Sequence, residues 1–182
     1  GIVPPGEFIP LAEQTGLIVP LGWWVLEHAL EQLGRWRAGA NGARDLTLSV
    51  NLSGKQFAER DLFEQVSQRL ETVGVPGGSV HLEITETTLM ENVEATLRTL
   101  RKLKETSVRL HVDDFGTGYS SLSYLCRFPV DAVKVDRSFV SQMTYSPENL
   151  EIVKAIVRLA KNLGLSLVAE GVENQDQLGV LQ

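Results

Sequence analysis

Short apolar runs rich in β-formers recur along the chain at residues 46–52, 80–85, 108–112, 132–136 and 165–169, and most of the intervals between them carry helical periodicity. Strands that alternate with helices build right-handed βαβ units on a parallel sheet, which restricts the chain to α/β architectures. Leu62, Val66 and Leu70 form one helical stripe. It is entered at Asp61 with Glu64 three residues on, a variant of the capping box, and should stop at Gly74 with Pro76 just beyond. Leu89, Val93, Leu97 and Leu100 form a second stripe. A third is Leu150, Val153, Val157 and Ala160, entered through Ser146-Pro147 and closed near Gly164. Trp23, Leu26, Leu30 and Leu33 mark a helix ahead of the first strand. The interval from Val112 to Ala132 opens on a Gly-containing loop, which predicts a brief helix.

Five such units suit either an open doubly wound sheet or part of a (β/α)8 barrel, and the polar residues discriminate. Each strand ends on a residue that a core would not select: Asn51, Glu83, Asp113 with Asp114, Lys134, and Glu170. Active sites of parallel α/β folds form at the C-terminal ends of strands. An open sheet gathers one or two such ends at its switch point, whereas a barrel gathers all of them, so five polar ends favour the barrel. Because side chains alternate along a strand, Asp113 and Asp114 cannot both face inward from a regular one. Asp114 is expected to turn in from the start of the loop Phe115-Gly116-Thr117-Gly118.

Carboxylates that converge repel one another unless protonated or bridged by cations. Glu83, Asp113, Asp114 and Glu170 are all oxygen donors and Asn51 adds a neutral one, a set suited to Mg²⁺ or Mn²⁺ rather than to zinc. Adjacent aspartates point to two ions, which together activate a water and stabilise an in-line phosphoryl transition state. Lys134 is then placed to orient or deprotonate that water, or to stabilise phosphate charge. Taken singly, each of these residues reads as an ordinary solvated strand cap; it is the succession of strand ends that makes the functional reading. His81 and His111 read as interior histidines and His28 as structural or exposed. Trp23, Trp24 and Trp36 read as packing or interface residues, and Glu86 as N-terminal charge on the next helix.

Charge narrows the partners. The net charge of −6 and a pI near 5.1 come without any Lys/Arg run, which argues against long nucleic acid. An acidic protein still binds a phosphate ester when cations lie between carboxylates and substrate. The single cysteine, Cys126, fits a reducing, cytoplasmic setting. No apolar run reaches membrane-spanning length, so no membrane contact is expected from this segment, although a membrane-anchored parent protein is compatible with it. At 182 residues, 43% of them hydrophobic, one domain over 1–182 is expected.

Several stretches resemble the EAL-domain family of cyclic di-GMP phosphodiesterases. They are 5–13 (Pro-Gly-Glu-Phe-Ile-Pro-Leu-Ala-Glu), Ser49-Val50-Asn51-Leu52-Ser53, Glu83-Ile84-Thr85-Glu86, 113–122 (Asp-Asp-Phe-Gly-Thr-Gly-Tyr-Ser-Ser-Leu), 134–139 (Lys-Val-Asp-Arg-Ser-Phe) and Ala169-Glu170-Gly171-Val172-Glu173. The resemblance implies a (β/α)8 TIM-type barrel that opens cyclic di-GMP to linear pGpG with Mg²⁺ or Mn²⁺. By position, Asn51, Glu83, Asp113 and Asp114 resemble metal ligands, Glu170 a further acid that binds metal or its water, and Lys134 the lysine that assists the attacking water. Glu86 resembles a glutamate that anchors the loop after the Asp pair, a loop tied in the family to homodimer contacts and activity. Arg137 and Glu173 resemble substrate-side or supporting positions. The family's Glu-Ala-Leu signature, two N-terminal strands and one C-terminal strand are expected outside this stretch, leaving about five of eight strands within it. A non-cleaving cyclic di-GMP receptor is the alternative, especially for so shortened a piece. A cyclase-like or sensor domain in the parent chain is a further implied partner.

Overall fold

A computed structural model of the chain describes residues 1–39, 45–118 and 122–181, with only the backbone of Leu122. In chain order the elements are α1 (Pro5–Thr15), α2 (Ile18–Ala38), β1 (Leu48–Asn51), α3 (Gly54–Phe57), α4 (Leu62–Val73), β2 (Val80–Thr85), α5 (Glu86–Glu91), α6 (Val93–Glu105), β3 (Arg109–Phe115), α7 (Leu122–Leu125), β4 (Ala132–Val135), α8 (Arg137–Gln142), α9 (Pro147–Leu163), β5 (Ser166–Ala169) and α10 (Gln175–Leu181). The sheet has five strands in the order β1-β2-β3-β4-β5, and β1–β2, β3–β4 and β4–β5 pair in parallel. The fold is α/β with a parallel sheet, as the alternation of periodicities requires.

The chain divides into two compact units, Gly1–Glu83 with Arg101–Arg109, and Ile84–Leu100 with Leu110–Gln182. In the first, Leu26, Leu30 and Leu33 of α2 are buried, as are Leu62, Val66 and Leu70 of α4. These are the stripes that the spacing marks. Gly74 ends α4 in the left-handed conformation at φ 70°, as expected of a C-terminal glycine. Asp61 stands at the N-cap without capping α4 through its side chain, which accepts from Gln65 Nε2 at 2.8 Å instead. A complete capping box forms one element earlier, where Ser53 and Gln56 satisfy each other's N–H groups at the start of α3. Guanidinium stacking accounts for Trp23, whose ring lies 4.9 Å below Arg69 Cζ, and ring stacking for Trp24, 4.2 Å from the exposed His28. Trp36 is exposed.

In the second unit every residue of β4 is buried, the pattern of a parallel strand covered on both faces. α9 runs from Pro147 to Leu163, with the Ser146 hydroxyl accepting from Asn149 N and Gly164 at φ 69° closing it. Its buried face is Val153, Ile156 and Ala160, with Val157 only half-buried. The second stripe is two helices rather than one. The backbone turns at Asn92 (φ −148°, ψ 84°), and Asn92 Oδ1 accepts from Ala95 N at 3.2 Å to start α6. Brief helix α7 is present as expected. Away from the strand ends, Asp131 ties three strands together. Its N–H donates to Leu110 O (2.8 Å), its Oδ2 accepts from Leu110 N (2.7 Å), and its carbonyl accepts from Ser166 N (3.0 Å).

Leu30 is wholly buried in α2. Leu30→Ala is expected to lower the free energy of unfolding by about 2–5 kcal/mol, read as a smaller urea midpoint at unchanged slope.

Candidate metal centre

The site in the second unit begins with a fault in β3. His111 and Val112 pair with Ala132 and Val133, but the next pair is Phe115 with Val135, so Asp113 and Asp114 together face the single residue Lys134. This is a bulge, which inserts one residue, bends the strand and re-aims a side chain. Asp114 takes up the distortion at φ 52°, the left-handed region that aspartate tolerates better than most residues. The expectation that Asp114 turns in from a loop is therefore corrected: β3 continues through Phe115, and the irregularity lies inside the strand.

Lys134 projects from the middle of buried β4, where an unpaired ammonium would be prohibitively desolvated. Its Nζ lies 2.9 Å from Asp113 Oδ1 and 2.7 Å from Glu170 Oε1. Asp113 Oδ1 also accepts the N–H of Asp114 at 3.1 Å. Glu170 stands just past β5, anchored by its own N–H on Val135 O at 3.1 Å. Asp113, Asp114 and Glu170 bring one carboxylate oxygen each within 4.8 Å of one another.

These crowded charges appear in the protonation of Asp114. Burial, then the neighbouring Asp113, Asp136 and Glu170 carboxylates, raise its pKa above the ordinary aspartate range, with Lys134 pulling only weakly the other way. Asp136, one residue beyond β4, behaves oppositely. Burial would raise it, but the Ser138 hydroxyl and N–H donors, with Arg137 beside it, outweigh burial and hold it low. An oxygen-only set in which neighbouring carboxylates add to burial in raising an aspartate fits a divalent cation, which would offset that repulsion.

The loop after the bulge is fastened by Glu86, whose buried Oε2 accepts Gly116 N at 2.8 Å. Gly116 has φ 99°, and a Cβ there would meet Phe139 Cε2 at 3.0 Å, so only glycine fits the crossing. Glu86 also opens α5, so the helix-end reading and the anchoring reading hold together. Tyr119, Ser120 and Ser121 of the same motif lie outside the described residues. Arg137 and Glu173 are exposed, at the head of α8 and ahead of α10 respectively. In the first unit, Asn51 pairs with Glu83 in register at the ends of β1 and β2, with Asn51 exposed and Glu83 buried. His111 is buried and His81 half-buried, each with its interactions made, in accord with interior roles. Two contributors are not singled out by spacing: Asp136, whose D-x-S turn caps α8, and Gln177, buried in α10.

The whole chain, residues 1–182, matches the family model described as the EAL domain. The chain belongs to the EAL domain family. MucR of Pseudomonas aeruginosa, a bifunctional diguanylate cyclase/cyclic di-GMP phosphodiesterase, is 44% identical over 177 residues, 97% of this EAL domain chain and 26% of MucR. The cyclic di-GMP phosphodiesterase PdeR of Escherichia coli is 42% identical over 175 residues, 96% of this chain and 26% of PdeR. The chain thus spans about a quarter of the length of these relatives. The solved PaMucR phosphodiesterase in complex with c-di-GMP superposes with a TM-score of 0.95 at 42% identity, covering all of this chain and 72% of that one. EAL domains have the TIM-barrel fold, in line with the barrel expectation. Among the described residues, no helix is long and apolar enough to cross a membrane.

Asp114→Asn is expected to stabilise the EAL domain at neutral pH. A carboxyl whose folded pKa lies above its unfolded value lowers stability as the pH rises through that interval, because the folded state then gives up a proton it held more tightly. The gain in Tm should therefore shrink as the pH falls through the window extending upward from the ordinary aspartate range, and thermal melts across that window check it.

Proposed function

We propose that this domain hydrolyses cyclic di-GMP to linear pGpG with Mg²⁺ or Mn²⁺, two ions acting together. The observation that carries the reading is the Lys134 ammonium held between Asp113 and Glu170 beside Asp114. Three carboxylates would repel a phosphodiester, so a phosphate substrate is compatible with them only through cations. Family membership and phosphodiesterase relatives at more than 40% identity support this substrate class.

In this reading Asp113, Asp114 and Glu170 hold the cations, and the roles of Asn51 and Glu83 as further ligands are proposed from the family resemblance alone. A bound divalent ion would polarise a phosphoryl oxygen and make a water a better nucleophile. Since pGpG carries a 5′-phosphate, the water oxygen bonds to phosphorus while the bond to the 3′-oxygen breaks, and that oxygen takes up a proton. Lys134, already paired with two carboxylates as an ammonium, donates rather than accepts: it orients the water or offsets charge on the phosphoryl oxygens. Glu86 holds the loop after the Asp pair, while Arg137 and Glu173 are proposed on the substrate side.

Incubation of the chain with cyclic di-GMP and Mn²⁺, with chromatography of the product, tests the reading. Formation of pGpG is expected, with complete loss on adding EDTA. Lys134→Ala should lower turnover about 10²–10³-fold. Tight cyclic di-GMP binding without pGpG would instead favour a receptor, and undiminished turnover in Lys134→Ala would remove the lysine from the mechanism.

A further inference from the structure

Gln177 is only 3% exposed although the residues around it, from Gly171 to Asp176, are exposed. Its Oε1 accepts two backbone N–H groups, from Glu173 at 2.7 Å and Asn174 at 3.2 Å. In return Asn174 Oδ1 accepts Gln177 N at 2.9 Å, which makes a reciprocal box at the start of α10. Helix capping requires the Asn174 pair alone. The additional bond reaches back to Glu173, three residues from Glu170. The segment between them is tight. Gly171 has φ 69°, and a Cβ there would lie 2.7 Å from Arg137 Cβ, so the chain passes directly over the head of α8. Glu170 thus stands just past β5 with its N–H on Val135 O, and its exit path is pinned three and four residues later by Gln177.

With Glu170 taken as a metal-side acid, as proposed above, we infer that Gln177 is a positioning residue for the Glu170–Asn174 segment, holding the Glu170 carboxylate at the cation site through the backbone. It touches neither substrate nor cation. Its amide oxygen holds two backbone N–H groups of an otherwise exposed segment, so its removal should loosen the segment far more than it destabilises the fold.

Manganese binding by calorimetry, without nucleotide, reads this directly, with melts of the metal-free protein in parallel. Gln177→Leu removes the acceptor and suits a buried position; it should weaken Mn²⁺ binding roughly tenfold, the low end for groups that orient ligands from outside, while the metal-free Tm changes little. Gln177→Glu keeps an acceptor oxygen at the same reach and should restore binding. Asn174→Gly loosens the same box from the exposed side, at little cost to the helix start, and should shift Mn²⁺ binding in the same direction, keeping the test decisive if Gln177→Leu does not fold. Wild-type affinity in both Gln177→Leu and Asn174→Gly overturns the positioning role alone, as does a Gln177→Glu no better than Gln177→Leu. A wild-type chain that binds no Mn²⁺ overturns the metal reading of Asp113, Asp114 and Glu170 and the positioning role with it.

Discussion

An ammonium buried in the middle of a parallel strand is tolerable only if its charge is matched at short range, and Lys134 meets that condition with Asp113 on one side and Glu170 on the other. Much of the second unit's local geometry follows from this requirement. Asp113 reaches the ammonium because β3 carries an extra residue opposite Lys134; Glu170 reaches it because β5 ends one residue earlier, with its N–H on Val135 O. Asp114 is the carboxylate left over. Asp113 and Glu170 hold the lysine between them, so Asp114 stands beside them without an ion pair to it, and burial first and the neighbouring carboxylates second shift its protonation upward. Three carboxylates around one ammonium leave two negative charges in excess, which predisposes the cluster to bind positive charge.

Distortion concentrates around the same residues. Asp114 and Gly116 have positive φ within three positions of each other, and Gly171 has it immediately after Glu170. Away from the site, Ser107 in the turn between α6 and β3 has φ 65°, and left-handed glycines stand at the ends of α1, α4 and α9 where helices ordinarily end. Strain gathered at the ends of site-bearing strands is what a binding centre on a rigid scaffold looks like. The surrounding contacts hold the distortion in place: Glu86 on Gly116, Asp136 on the first turn of α8, Gln177 on the segment after Glu170.

Element types were legible because burial and periodicity report the same thing. The stripes of α2, α4 and α9 lie on the buried faces, with Trp23, Leu150 and Val157 half-buried and Ile156 buried in addition, and the strands begin and end within three residues of the apolar runs. The strand-end residues were legible because polar side chains closing apolar runs are conspicuous. What was not legible depends on hydrogen-bond register or on local backbone. The bulge leaves no trace in composition, since Asp-Asp after an apolar run reads equally as a strand end or a loop. The break at Asn92 is hidden because Leu89 and Leu97 remain on buried faces on either side of it. Gln177 is invisible for a different reason: a glutamine in a short helix is unremarkable until its oxygen is seen to serve the segment that precedes the helix.

Asp131 carries an implication for how such a domain diversifies. One residue between α7 and β4 joins β3, β4 and β5 at their starts, through two bonds to Leu110 and one from Ser166. The alignment of these three strands is thereby written at the end remote from Asp113, Lys134 and Glu170. Loops leaving the opposite end can lengthen, shorten or change composition without erasing that alignment. Such a division of labour lets selection rework what the loops contact while the spacing of the charged strand ends is inherited unchanged.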